Sequence, residues 1–323
     1  MSRALIAPDS FKGTLTAAEV AVALAAGFEA EGWETDACPL ADGGEGTAAA
    51  LVEALGGREV AAAAHGPLGD PLEGSLALLG NGETAVVEVA TASGLTLLDE
   101  PELDPIAASS AGTGELIGAA AHRALVVLVA VGGSATTDGG EGAVEAIEAA
   151  GGLGGAQLVC LCDVRTTWER AAEVFAPQKG ADPEQVAALA ERLERLAATL
   201  PRDPRGVPMT GAAGGLAGGL WARYGAELVP GAAYVCDAVG FDRRLAEAEL
   251  AVTGEGRLDA TTLEGKVVAE VAQRAGRAGI PCHAVVGSDE SDGAELGLAS
   301  VTTAAGPAAL TAAARGIART SRS

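Results

Sequence analysis

ALIAPDSFKGTLTAAEVAVALAAGF, residues 4–28, holds the two signals from which the fold is read. Ala4 to Ala7 is an apolar run too short for a helix, and Pro8 ends it, so it reads as a buried strand. Thr16, followed three residues later by Glu19, is a capping box, and the pattern beyond it predicts a helix from Thr16 to Phe28. Strand, polar loop and helix in that order form the first half of a βαβ unit. The loop between them delivers an acid, a hydroxyl and an ammonium, Asp9, Ser10 and Lys12, to the end of a strand. A simple turn does not need all three.

The same alternation continues outward. Thr35 to Leu40 reads as a second strand, and Thr47 to Leu55 as a helix closed by Gly56-Gly57. From Arg58 the pattern changes to strands joined by Gly66-Pro67, Gly69-Asp70-Pro71 and Asn81-Gly82, which is hairpin chemistry. A helix around Thr113–Leu125 and a strand Leu125–Val131 follow. Near the C-terminus come LAVTGEGRLD, a helix from Lys266 to Ala275, PCHAVVGS, ASVTTA and a last helix. The expected architecture is α/β: a flavodoxin/Rossmann-like parallel-sheet domain (1–64 and 240–323) with an inserted α+β domain (65–239). In such folds ligands bind at the C-terminal ends of strands and in interdomain clefts.

The 323 residues suffice for two ordinary domains. Half the chain is apolar (49%) yet only 3% is aromatic, so the cores must be built from Ala, Val and Leu. The five cysteines stand in apolar, strand-like contexts, and an odd count forms no disulfide framework. Three scattered histidines offer no metal site. A net charge of −23 argues against nucleic acid as a partner and requires that an anionic substrate be captured by a few local cations. The longest apolar run, Ala124–Val131, is short of a membrane span, and the N-terminal residues carry no signal-peptide pattern. The expectation is a cytoplasmic protein with no membrane partner.

Five segments share one grammar, an apolar strand followed by a loop dense in Gly, Asp, Ser, Thr or Glu. They are APDSFKGTL (7–15), PLADGGEGT (39–47), VGGSATTDGG (131–140), FAPQKGA (175–181) and VTGEGRLD (252–259), the last followed by Gly265-Lys266. Glycines let backbone amides approach a ligand, hydroxyls and helix-start amides bind phosphate oxygens, and nearby acids suit Mg²⁺ or a general base. The chain has 18 Arg but only three Lys, Lys12, Lys179 and Lys266, each beside a glycine. Retaining lysine there points to sites that need a compact ammonium. Known nucleotide fingerprints are missing: Gly265-Lys266 is followed by Val267, Gly112-Thr113-Gly114 lacks its third glycine, and no G-x-S-x-G elbow occurs.

Together these loops resemble the bacterial two-domain glycerate kinase family. The resemblance rests on APDSFKG (7–13), ADGGEGT (41–47), GTGEL (112–116), GGSAT-DGG (132–140), F-PQKGA (175–181), GAAGGL (211–216), and TGEGR-D (253–259) with Gly265-Lys266. It implies ATP-dependent phosphorylation of D-glycerate, usually at the 2-hydroxyl, and a first domain of flavodoxin-like strand order. Three stretches depart from the family pattern, one of them beside Lys266, where Val267 and Val268 stand in place of the usual proline. The segment between the 132–140 loop and Cys162-Asp163-Val164 is short, and Arg165-Thr166-Thr167-Trp168-Glu169 replaces the usual Asn-Pro-Leu and Gly-rich stretch.

The resemblance and the chemistry of phosphoryl transfer suggest roles. Lys12 and Arg257 hold anionic groups, and Asp42 or Asp138 serves as base or Mg²⁺ ligand. Asp9, Ser10, Glu45, Glu255 and Asp259 bind substrate. Gly43, Gly44, Gly132, Gly133, Ser134, Thr136, Lys179 and Lys266 bind the phosphates of ATP. The competing structural roles are an N-cap for Asp138, a turn acid for Asp42, a capping box for Glu45 and a turn end for Lys179. The expected assembly is a monomer or homodimer. Alternatives are a kinase for another small hydroxy acid or polyol, and a non-catalytic metabolite-binding relative.

Overall fold

A computed structural model describes residues 2–259, 262, 265–290 and 296–322. The chain divides into two compact units, Met1–Asp42 with Ala232–Ser323, and Gly43–Gly231.

The first unit is built on a five-stranded, wholly parallel sheet. Its spatial order is Glu34–Ala37, Arg3–Ile6, Leu250–Thr253, Cys282–Val286, Ser300–Thr303. Counted along the chain this is 2-1-3-4-5, the flavodoxin-like order, whose direction reverses between the strands at Arg3–Ile6 and Leu250–Thr253. Ala4, Leu5, Ile6, Ala251 and Val252 are fully buried, as expected of strands covered on both faces. The helix Ala17–Glu29 starts at Thr16, whose side chain accepts from the Glu19 amide while Glu19 reaches back to the Thr16 amide at 2.8 Å. That helix packs on Pro307–Thr320 at very short range. A Cβ at Gly27 would stand 2.5 Å from the Thr311 carbonyl and 2.6 Å from the Ala314 Cβ. The small side chains thus bring helices into near backbone contact, which is how a chain poor in aromatics fills its core. Phe28 and Trp33, edge to face at 5.6 Å, are among the few large residues there.

A six-stranded mixed sheet organises the second unit, in the order Gly57–His65, Pro71–Leu79, Thr84–Glu88, Val126–Ala130, Gln157–Cys162, Glu227–Pro230. The first three strands run antiparallel and the remaining pairings are parallel. Asn81 sets the second hairpin turn, its Oδ1 accepting from the amides of Glu83 and Thr84 at 3.0 Å. The compact units divide at 42/43 and 231/232, whereas the sequence placed the boundaries at 64/65 and 239/240. The reason is pairing: Gly57–His65 is hydrogen-bonded along its whole length to Pro71–Leu79, so it belongs to this sheet, and the helix Thr47–Leu55 comes with it.

Helices Ala111–Ala121 and Glu141–Ala149 pack through glycine. A Cβ at Gly114 would stand 2.6 Å from the Ala143 Cα, and one at Gly118 would stand 2.8 Å from the Ala150 Cβ. Of the two glycines of the GTGEL segment, Gly114 therefore serves helix packing, whereas a Cβ at Gly112 would collide with the His65 carbonyl of the strand Gly57–His65. The stretch Arg165–Glu169 leads into a small helical layer around the fully buried Trp168, whose indole donates to the Leu193 carbonyl at 3.1 Å. Among the described residues no helix is long and apolar enough to cross a membrane.

Candidate active site

In the first unit, the strand ends on either side of the order reversal carry the candidate residues. Beyond Ile6 the chain holds itself to the neighbouring strand end, the Asp9 amide donating to the Gly254 carbonyl at 2.8 Å. Residues Phe11 to Leu15 then close on themselves, Phe11 and Leu15 exchanging backbone hydrogen bonds around Gly13, whose φ is +77°. Phe11 is buried, and Lys12 is presented to solvent at the tip. Three buried carboxylates gather behind it: Asp9, Asp42 and Glu255.

Burial dominates their electrostatics. Asp9 is pushed well above the ordinary aspartate range, first by loss of solvent and then by the Asp42 charge, against the Ser10 amide and the Lys12 ammonium. Glu255 is pushed up to about 7, again mainly by burial, with the Thr262 hydroxyl and Lys266 acting the other way. Thr262 Oγ1 donates to Glu255 Oε1 at 2.6 Å and accepts from the Asp259 amide at 3.2 Å. Arg257, largely exposed, pairs through Nε with Asp259 Oδ2 at 3.0 Å. Lys266 stands at the start of helix Val267–Ala278, half-buried. Gly254 is irreplaceable by size, because a Cβ there would collide with the Val285 carbonyl. The structure therefore brings together Asp9, Ser10, Lys12, Asp42, Glu255, Arg257, Asp259 and Lys266.

The second unit holds the remaining candidates. Its loop 132–140 follows the strand Val126–Ala130, and within it Gly133 alone is exposed while Ser134, Thr136, Thr137 and Asp138 are buried. Ser134 Oγ accepts from the Thr136 amide at 3.0 Å, and the segment Ser93–Leu95 backs the loop from one side. Gly132 touches the 43–44 turn: its amide donates to the Gly43 carbonyl at 3.0 Å, and a Cβ would stand 2.7 Å from the Gly44 Cα. Glu45 is exposed and makes no cap.

Three helix starts in this unit are already occupied by the protein's own acids. Asp138 Oδ2 accepts from the Ser110 amide (2.8 Å), the Ser110 hydroxyl (2.8 Å) and the Gly142 amide (3.3 Å), while Oδ1 accepts from the Gly140 amide at 3.0 Å. One carboxylate thus serves the first turns of both Ala111–Ala121 and Glu141–Ala149. Glu88 does the same for Thr47–Leu55, accepting from the Ala48 amide at 2.7 Å, and burial pushes its carboxyl up. The amides of Ala48, Ser110, Gly140 and Gly142 at these helix starts are thus filled from within the protein. Lys179 is likewise turned inward, donating to the Thr136 carbonyl, and burial lowers its pKa to about 7 against the pull of Asp138 and Asp163.

Ser110, Glu88, Thr262 and Asp163 went unnoticed as partners of the candidate residues. Ser110 lies two residues before the GTGEL signal, and Thr262 three residues after Asp259, so proximity in sequence was the available cue. Glu88 closes an apolar strand and left no local trace. All five cysteines are buried and free, and burial pushes the Cys160 thiol up to about 12. Among the described residues no three or more His, Cys, Asp or Glu gather tightly enough to hold a metal unaided.

Comparison with known proteins covers nearly the whole chain. The glycerate kinase family profile matches residues 4–153 and 148–320. The glycerate kinase of Bacillus subtilis (strain 168) is 37% identical, over 89% of this chain and 85% of that protein. The glycerate 2-kinase of Escherichia coli K12 is 36% identical, over 89% and 86%. A crystal structure of the Salmonella typhimurium LT2 protein described as glycerate kinase 2 superposes with a TM-score of 0.84 at 34% identity, covering 99% of this chain and 98% of that one. Shared fold, shared loops and continuous similarity lead to one conclusion: this chain belongs to the glycerate kinase family.

Proposed function

We propose that the protein transfers the γ-phosphoryl group of ATP to D-glycerate, with the 2-hydroxyl as acceptor. Family membership supports the reaction class, and the name of the Escherichia coli relative favours the 2-position. The observation that carries the reading is the trio of buried carboxylates, Asp9, Asp42 and Glu255, flanked by Lys12, Arg257 and Lys266 at the strand ends where the order reverses.

Lys12, exposed on its tight turn, and Arg257, able to hold a carboxylate in bidentate fashion, bind the anionic groups. Glu255, whose pKa near 7 suits proton transfer at neutral pH, accepts the hydroxyl proton as the oxygen–phosphorus bond forms and the bond to ADP breaks. Asp138 has both oxygens engaged, so the role of Mg²⁺ ligand falls to Asp42. A kinase Mg²⁺ needs only one or two protein carboxylates, because phosphate oxygens and water complete its shell, and a single buried aspartate fits that demand. When bound, the ion neutralises charge on the β- and γ-phosphates. In the second unit, Gly133 is the one exposed residue of the 132–140 loop.

The test is ADP release with ATP, Mg²⁺ and D-glycerate, with the product identified by phosphorus NMR. Glycerate-dependent turnover yielding 2-phosphoglycerate is expected; ATP and glycerate binding without turnover would overturn the reading. A panel of small hydroxy acids and polyols reports the substrate range left open by the altered 165–169 stretch.

A further inference from the structure

Lys179 differs from the other two lysines. Lys12 is exposed and Lys266 half-buried, whereas Lys179 is only 3% exposed. Its ammonium donates to the Thr136 carbonyl and lies 6.0 Å from the centroid of the Phe175 ring. The carboxylates that face it are Asp138, in the same loop as Thr136, and Asp163, just beyond the strand Gln157–Cys162. The Thr136 carbonyl is also approached by Gly214, where a Cβ would collide with it, and the Gly214 carbonyl accepts from the Gly139 amide at 3.0 Å. The backbone beside that contact is strained at two non-glycine residues: Ala213 has φ 52° and ψ 42°, and Met209 has φ 72°. Strain of this kind persists only where the surroundings over-determine the backbone.

We infer that Lys179 is a positioning residue, an internal strut that fixes the 132–140 loop through the Thr136 carbonyl and does not touch phosphate. The inference deepens the kinase reading and rests on it for its catalytic consequence. A buried ammonium set between the buried Asp138 and the half-buried Asp163 cannot swing towards the exposed Gly133 edge without giving up both carboxylates and the Thr136 carbonyl. The slot also accounts for the choice of lysine in a chain that otherwise writes arginine. One carbonyl and two carboxylates around a compact point charge have no use for a planar fork of five donors.

Lys179→Met tests it by hydrogen exchange and by kinetics on the full chain. Amides of residues 134–140 should exchange at least ~10-fold faster, and kcat should fall while KM for ATP changes little. Wild-type exchange in this loop with a raised KM for ATP would overturn the strut. Should the variant not fold, acetylation of the native wild type followed by mass spectrometry decides the matter. Without ATP, Lys12 and Lys266 should react at least ~10-fold faster than Lys179, and the rate at Lys179 should stay unchanged when ATP and Mg²⁺ are added. A Lys179 that reacts as readily as Lys12 and is protected by ATP would refute the proposal. Failure of the kinase reading would show separately, as absent ADP release by the wild type, with exchange and acetylation unaffected.

Discussion

Asp138 and Glu255 are both buried acids in Gly-rich loops, yet their surroundings assign them opposite work. Asp138 receives hydrogen bonds on both oxygens from two helix starts, an arrangement in which the charged form is fully solvated by the protein. Asp138→Asn sets an amide NH₂ against backbone donors. It should cost about 2–4 kcal/mol in urea unfolding, since buried donors lose their charged acceptor; a variant of unchanged stability but no activity would instead make Asp138 a participant in the chemistry. Glu255 has few hydrogen bonds to its charge and is held up to about 7. Its folded pKa lies above the unfolded value, so between about 4.5 and 7 the folded state binds more protons, and stability falls as pH rises through that window. Glu255→Gln should flatten that fall, leave the variant more stable than the wild type at pH 8, and lower kcat about 100-fold; an unaltered pH–stability profile would contradict the assignment. Neither distinction could be read from sequence, where both appear as an acid among glycines.

Local elements were the most legible level. The capping box at Thr16 and Glu19, the helix Thr47–Leu55, the hairpin turns and the strand–loop–helix alternation all depend on residues a few positions apart, so their signals survive in one dimension. Glycine was harder to interpret, because φ freedom, ligand approach and close packing all select it. Gly114 shows the ambiguity: it resembles part of a nucleotide fingerprint and turns out to be where one helix meets the Ala143 backbone of another. Gly114→Ala supplies a clear sign test. Helix propensity favours Ala by up to about 1 kcal/mol, whereas forcing a methyl against that backbone costs about 1–3 kcal/mol. A lower urea midpoint is expected, and a higher one would mean the contact is looser than the structure has it.

For the whole molecule, a charge of −23 surrounds a site that must admit an anionic acid and a nucleotide. Raising salt from about 0.01 to 0.15 M shortens the Debye length from about 30 to 8 Å, which should weaken the global repulsion more than the contacts of Lys12 and Arg257. KM for glycerate should therefore fall over that range at fixed free Mg²⁺, and a rising KM would mean that the local cations govern capture. The sequence by itself determined the α/β class, the family, and the loops that carry the candidate site residues, because periodicity, caps and glycine-flanked polar groups are local and ordered along the chain. Tertiary structure alone decided which helix starts are filled by the protein's own carboxylates, which of the three lysines face inward, and which acids share a low-dielectric cluster. Those outcomes depend on burial and on partners as far apart as Ser110 and Asp138, or Asp9 and Glu255, and desolvation has no one-dimensional signature. APDSFKGTL thus marks a candidate site at the end of its strand, and only the fold brings Asp42 and Glu255 to Asp9.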